Sequence, residues 1–407
     1  MKVQILGDFP HNSILLQAIT TVNKLSTFVH SMIYLDNSAT TQIDEEILEA
    51  MLPWMKENFG NASSAYGLGR QARVAIEEAR EEIASSINAH PAEIIFTSGG
   101  TESNNAILKS ACIESGLVDS LLISSIEHHA VEYPAEWLAS QGFSTAIAPV
   151  NGLGRILPDW QKRMPSARCL VSFMHANNEI GTIQEIASVK SLLPETSYLH
   201  SDAVQSYGKI PIDIDKLHVD FMSMSAHKIH GPKGIGAMFI RKGIDFKSHQ
   251  QGGGQERNRR AGTESPALII GFQMAVRKAM KEMEARDKHM RALQSHMRSM
   301  ISQHIPQARI NTPMDDAITL PSILNISFST ISDGESILQL MDMAGFAVSN
   351  GSACVSGSQQ PSHVLQAIGL SDKEAKAAVR FSFCKDNTIE EVEMAVMQLK
   401  TIIDSMS

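Results

Sequence analysis

The chain has 407 residues, 43% of them hydrophobic, enough to bury a large core, and its length predicts two domains or one large domain with an appendage. Its 44 acidic residues against 35 basic ones leave a net charge of −9 without any long Lys/Arg block, which argues against nucleic acid or an anionic membrane as the main partner and points to a small-molecule site. Four scattered cysteines, Cys112, Cys169, Cys354 and Cys384, form no Cys-x-x-Cys pair, so neither a zinc ribbon nor a disulfide framework is indicated and a reducing cytoplasm is the expected setting.

Residues 1–31 carry Asp8 and Pro10 early, no arginine and only a broken apolar stretch around Ile14 to Val22, so neither a signal peptide nor a mitochondrial presequence is indicated. No apolar run is long enough for a membrane span. From about Ile33 short apolar runs alternate with amphipathic stretches of helical period, the pattern of a βαβ-type α/β domain with a mostly parallel sheet. The expected strands are Glu93–Thr97, Ser120–Ser124, Cys169–Met174, Ser197–Ser201, Asp220–Ser223 and Ile235–Ile240. Helices are expected over Arg70–Asn88 and Thr101–Ser115, where Ala, Glu, Ile and Leu recur at three- and four-residue spacing. A long helix follows from about Gly271 to Gln303, with Val276, Met280, Met283, Leu293, Met297 and Met300 on one face; a stripe at this spacing reads as core, and the helix as the bridge into a second domain.

Three motifs carry chemistry. After the strand ending at Thr97 comes Ser98-Gly-Gly-Thr-Glu-Ser-Asn-Asn105 and then a helix, which sets small residues, exposed N–H groups and the helix dipole where a phosphate binds well, although such a turn is more often an ordinary cap. Asp202 closes the apolar stretch Ser197-Tyr-Leu-His-Ser-Asp-Ala-Val-Gln205, and 26 positions later Lys228 sits in Ser225-Ala-His-Lys-Ile-His-Gly-Pro-Lys-Gly234. A lysine at the carboxyl end of a strand can form a Schiff base with an aldehyde cofactor, while a carboxylate on a neighbouring strand holds a pyridine nitrogen protonated, and that pairing suggests a pyridoxal phosphate enzyme. Ser225 and His227 are further phosphate donors.

Glu127-His-His-Ala-Val131 follows a strand, so either histidine has access to the same crevice. A metal site made of His128, His129, His227 and His230 is the weaker reading, because no acidic or thiol ligand accompanies them at ligand spacing. The third motif is the small, polar segment Ala347-Val-Ser-Asn-Gly-Ser-Ala-Cys-Val-Ser-Gly-Ser-Gln-Gln-Pro361, whose cysteine, Cys354, reads as a presented nucleophile; the other three cysteines lie in regular patterns and read as core.

Tyr34-Leu-Asp-Asn-Ser-Ala-Thr-Thr41, Thr97-Ser-Gly-Gly-Thr-Glu-Ser-Asn104, Glu127-His128, Asn177-Asn-Glu-Ile-Gly181, the lysine run and the loop around Cys354 together resemble the cysteine desulfurases, over about Met32 to Lys400. The loop Ser349-Asn-Gly-Ser-Ala-Cys-Val-Ser-Gly357 is similar to the NifS/IscS-like branch with a long sulfur-carrying loop. The resemblance implies a fold type I pyridoxal phosphate transferase, with a large domain over 46–286 and a smaller α+β domain made of 32–45 and 287–407. It implies conversion of L-cysteine to L-alanine with a persulfide on Cys354, and delivery of sulfur to an acceptor protein for iron–sulfur cluster, thiolated tRNA or cofactor synthesis.

By the same resemblance Lys228 holds the cofactor, Asp202 pairs with its pyridine nitrogen, His128 stacks on the ring and handles protons, and Asn178 and Gln205 lie near the ring hydroxyl. Gly100, Thr101, Ser225 and His227 would hold the phosphate, and Thr263, in Arg259-Arg-Ala-Gly-Thr-Glu264, would reach the phosphate of a neighbouring subunit, which implies a homodimer with a shared site. Arg380, in Val379-Arg-Phe-Ser382, matches the arginine that grips the substrate carboxylate, with Asn178 as a second contact.

Two departures stand out: Cys384 replaces a usual glycine, and Asn61-Ala-Ser-Ser-Ala-Tyr66 replaces a proline- and histidine-containing version; neither is expected to touch the chemistry, though the second bears on the mouth of the site. Residues 1–31 have no family counterpart, and a mis-set translation start or an artificial addition is the expectation there. The rivals are a related pyridoxal phosphate lyase or aminotransferase, such as a selenocysteine lyase, and a non-catalytic scaffold of the same fold.

Overall fold

The computed structural model describes residues 32–331, 334–351 and 360–406. The chain enters through β1 (Ile33–Tyr34), α1 (Glu45–Lys56) and α2 (Gly67–Ser85). β2 (Ile94–Thr97) then leads into α3 (Gly100–Lys109), and β3 (Ser120–Ser124) into α4 (His129–Ser140). Five further strands complete the sheet: β4 (Ser144–Ala148), β5 (Cys169–Ser172), β6 (Tyr198–Asp202), β7 (Phe221–Ser225) and β8 (Gly236–Ile240). Their spatial order is β2-β8-β7-β6-β5-β3-β4, every neighbouring pair parallel except the two that involve β8.

The α/β fold with a mostly parallel sheet is as the sequence predicts. All six expected strands form, with ends shifted by a residue or two. β4 has no counterpart among them, because Ser-Thr-Ala-Ile-Ala at the sheet edge is half exposed and carries little apolar contrast. The central strands are buried on both faces and alternate their side chains between two cores. Phe96, Leu122, Val171, Leu199 and Met224 face α1 and α2, while Ile95, Leu121, Ile123, Leu170 and Phe221 face α3 and α4.

The long helix runs over Pro266–His304 as α5, five residues earlier than its apolar period suggests, with proline at its first position where the missing N–H costs nothing. Its first half, through Phe272, Val276 and Ala279, packs on the large sheet; its second half, through Met290, Leu293, Met297 and Ile301, packs on a separate core. The expected single stripe is therefore corrected: Met280, Met283 and Met300 are only partly buried, because the helix serves two cores on faces that do not coincide.

The second core lies beneath β9 (Ala308–Ile310), β10 (Ile323–Phe328) and β12 (Ala378–Ser382), an antiparallel sheet with β10 in the middle, covered by α6 (Gly334–Met343) and α7 (Ile389–Met406). β1 pairs with β11 (Phe346–Ala347), and Asp36 bridges to Ser382, so the N-terminal segment joins this lobe. We propose that the division between lobes runs through α5 near residue 286, which the change of core along that helix supports.

Candidate active site

A cavity of ≈ 290 Å³ opens at the carboxyl ends of β2, β3, β5, β6 and β7, where open α/β sheets bind ligands. Each strand hands over a pair of residues at its last position or just beyond it: Gly100 and Thr101, Glu127 and His128, Ala176 and Asn178, Asp202 and Gln205, Ser225 and Lys228. Ser38 and Ala39 from the N-terminal segment and Gly351, His363 and Arg380 from the second lobe close it.

Lys228 ends a short turn directly after β7. Its Nζ donates to the carbonyls of Ser38 and Ala39 at 2.5 and 2.7 Å. Those carbonyls are held in place because Thr41 binds the lysine loop twice: its N–H and its hydroxyl both donate to the His227 carbonyl. Asp202, 5% exposed, accepts from Asn104 Nδ2 at 2.7 Å and from the Val204 N–H at 2.9 Å. Burial pushes its carboxyl up, the two hydrogen bonds and the Lys228 charge pull it down, and a cation set against it would hold it ionised.

At the other end of the cavity the turn into α3 offers the N-terminus of a ten-residue helix. Ser225 Oγ is buried there with no hydrogen-bond partner, aimed at a position an anion would satisfy. Gly99 has φ +151°, and a Cβ on Gly100 would lie 2.5 Å from Val204 Cγ2, so a side chain at either position fills the cradle or strains its backbone. His227 lines the same cavity; burial, then the Lys228 charge, lowers its imidazole to about 3, so it is neutral.

His128 caps α4, its Nδ1 accepting the Ala130 N–H at 3.0 Å. Burial, then Lys228, lowers it to about 4; the ring is neutral with its proton on Nε2. His129 also lines the cavity, so both histidines of the motif reach the crevice. Its Nδ1 meets Glu132 at 2.7 Å, and His129, Glu132 and His363 bring three metal-ligating atoms within 4.8 Å of one another, a grouping different from the four histidines weighed on sequence. Glu127 beneath them is buried and raised to about 8 by burial, with Oε1 accepting from Ser124 and Met174.

Arg380 is 1% exposed. Its Nη1 donates to the carbonyls of Asn178 and Gly351, and its Nη2 to Asp36 at 2.6 Å, while Nε has no partner. Of the residues singled out on sequence, Gly100, Thr101, His128, Asn178, Asp202, Gln205, Ser225, His227, Lys228 and Arg380 share this one cavity. Thr263 is exposed and does not line it. Cys354 lies outside the described residues; Gly351, three positions before it, is in the cavity wall.

The sequence reading assigns no role to Asp36, Asn104 or Glu179 although all three stand inside its motifs; each meets its partner across the chain, Asp36 across 344 residues. The departure at Asn61–Tyr66 contributes Ala62 and Ser63 to a different cleft, beside Arg80 and Glu256, not to this mouth. Cys112 and Cys169 are buried as expected, but Cys384 is only half-buried rather than core, and it lines a small cavity shared with Lys228.

Residues 33–394 match the family profile "Aminotransferase class-V". A cysteine desulfurase IscS of Dictyoglomus turgidum is 43% identical over 377 residues, 92% of this chain and 95% of that one. The chain belongs to this family, among the cysteine desulfurases. Two solved structures share the fold: a NifS-like protein at 37% identity and TM-score 0.84, over 92% of this chain and all of that one, and SspA in complex with cysteine at 33% and 0.74, over 86% and 98%.

Pyridoxal phosphate is the cofactor that membership implies, and the residues fit it. An amine at Lys228 matches its aldehyde, the buried Asp202 carboxylate matches a protonated ring nitrogen, and the orphaned Ser225 hydroxyl with the helix N-terminus matches a phosphate.

Proposed function

We propose that this cysteine desulfurase takes sulfur from L-cysteine, releases L-alanine and leaves a persulfide on Cys354 for transfer to an acceptor protein. The observation that carries the reading is one cavity holding an amine, a buried carboxylate, a neutral histidine and a buried guanidinium, with Gly351 bringing the chain to its wall three residues before Cys354. The relative solved with cysteine bound supports the choice of substrate.

In this reading Lys228 and Asp202 hold pyridoxal phosphate by its aldehyde and ring nitrogen, and Gly100, Thr101, Ser225 and His227 hold its phosphate. The bound cofactor supplies an electron sink that lets the Cα–H bond of the amino acid ionise. Arg380 receives the substrate carboxylate, with its unpartnered Nε as the group still available to bind it. Lys228 takes the Cα proton. His128, neutral and carrying its proton on Nε2, stacks on the ring and moves protons at the carbon end. The Cys354 thiolate attacks the substrate sulfur: the C–S bond breaks, an S–S bond forms, the electron pair of the broken bond goes to Cβ, which takes up a proton, and Lys228 returns a proton to Cα so that the product leaves as alanine.

Thr263 is read as reaching the phosphate of a second copy, which makes the working unit a homodimer; its exposure outside its own chain's cavity supports this. The setting is read as cytoplasmic; no described helix is long and apolar enough to cross a membrane. Side-by-side turnover of L-cysteine, L-selenocysteine and a keto acid with an amino donor tests the reaction class. Alanine and sulfide from cysteine support the reading; transamination alone refutes it.

A further inference from the structure

A second lysine lies behind the first. Lys209 follows β6, seven residues after Asp202, and its ammonium donates to Gln205 Oε1 at 3.1 Å. Gln205 Nε2 donates in turn to the Ser38 carbonyl at 2.9 Å, the same oxygen that Lys228 Nζ reaches. The sense of this chain is fixed by chemistry. A carbonyl only accepts, so the amide must turn its nitrogen to Ser38 and its oxygen to Lys209, which donates to it. With both ends satisfied, the flip that is usually open to a glutamine is closed.

Lys209 and Lys228 also line one cavity of ≈ 20 Å³ with His230, Arg286 and Cys384, room for about one water between them. Burial, then the charges of Lys228 and Arg380, lowers the Lys209 ammonium to about 7. A lysine held there against burial and two like charges is an expensive way to fill space, which speaks for a positional task.

We propose that Lys209 is a positioning residue for the cofactor pocket: it fixes the Gln205 amide so that Nε2, and not Oε1, faces the Ser38 carbonyl and the space beside Lys228. The inference rests on the reading of Gln205 as a neighbour of the cofactor ring hydroxyl. A flipped amide would set Oε1 against the Ser38 carbonyl and withdraw an N–H donor from the ring oxygen, so both cofactor affinity and the ring's absorbance report the orientation.

The test titrates pyridoxal phosphate into the full-length apoprotein and records Kd and the position of the cofactor band for wild type, Lys209→Met, Lys209→Arg, Gln205→Leu and the Met/Leu double variant. Lys209→Met should weaken Kd by roughly 2- to 10-fold, the loss of about one hydrogen bond, and move the band to that of Gln205→Leu. Lys209→Arg, which keeps a cationic donor, should restore both. In the double variant the Lys209 change should add less than about twofold, because a residue acting through Gln205 has nothing left to act on.

Full additivity, or a Lys209→Met protein with the wild-type Kd and band, overturns the proposal. If that variant fails to fold, Lys209→Ala with and without added ethylammonium carries the same test, recovery of the band supporting and an unmoved band refuting. A Gln205→Leu protein with wild-type affinity and band sinks the reading of Gln205 and the proposal with it, and a wild type that binds no pyridoxal phosphate fails at the earlier, separate arm.

Discussion

The floor of the cavity and its outer wall are built in different ways. The floor consists of residues within four positions of a strand end, Gly100, His128, Asp202, Gln205, Ser225 and Lys228, set on one sheet. The wall joins Asp36, Asn178, Gly351 and Arg380 across two lobes, and its one full charge pair, Asp36 to Arg380, links β12 to the N-terminal segment. The sheet sets the backbone from which the floor groups project, and the Ser38 and Ala39 carbonyls hold only the tips of Lys228 and Gln205, whereas an inter-lobe wall is only as well placed as the packing between lobes. The cofactor groups therefore belong on the floor, and the groups that select and grip a small substrate belong on the wall.

The comparison breaks most directly at Lys228. Lys228→Ala should lose roughly 10²–10⁴-fold or more in alanine formation, the range of a lost acid–base group, and the yellow cofactor band of a lysine-bound aldehyde with it. Borohydride reduction of the wild type followed by peptide analysis should place the adduct on Lys228, and an adduct on another lysine would refute the assignment.

Acid should destabilise the fold that carries the floor. His128, His175, His200, His227 and His230 are all lowered by burial, to about 3 or 4, from an ordinary 6.5. The unfolded chain then binds more protons than the folded one, so the stability these groups contribute is present above about pH 6.5 and is lost as pH falls toward 4. The ceiling is about 1.4 kcal/mol per group per pH unit. Urea midpoints at pH 7 and pH 5 check the sign; a midpoint that does not fall on acidification contradicts it.

On the wall the effects are smaller and fall on substrate binding. Arg380→Ala should cost roughly 10- to 100-fold in kcat/KM, the loss of charge-assisted hydrogen bonds to a carboxylate, with the cofactor band unchanged. Asp36→Asn keeps an acceptor for Nη2 but removes the charge; a rise in KM of roughly 2- to 10-fold with kcat unchanged is expected. A change in the cofactor band of either variant would show that floor and wall are not separate.

The same division governs what the sequence reveals. Asp202, Ser225 and Lys228 are legible because each closes or closely follows a short run buried in the sheet, Tyr198–Asp202 or Phe221–Ser225. β4 escapes because an edge strand half open to solvent has no such run, and the two-faced burial of α5 blurs a stripe that a single period describes poorly. Arg380 was reached through resemblance alone. Its partner Asp36 was not reached at all, although it stands inside a quoted motif, because nothing local marks a carboxylate that meets a guanidinium 344 residues away. Cys384 was set aside as a departure without consequence, and only the packing of two lobes places it in a cavity with Lys209 and Lys228.

The claim that sulfur leaves cysteine through a nucleophile carried to this wall is tested most directly by one comparison. L-Cysteine is added to the holoenzyme and to its Cys354→Ala variant, and alanine and protein-bound persulfide are quantified in both. The wild type should form alanine and carry a persulfide on Cys354, while the variant keeps its cofactor band and forms neither. Undiminished alanine from the variant, or a wild-type persulfide on another cysteine, would contradict the account.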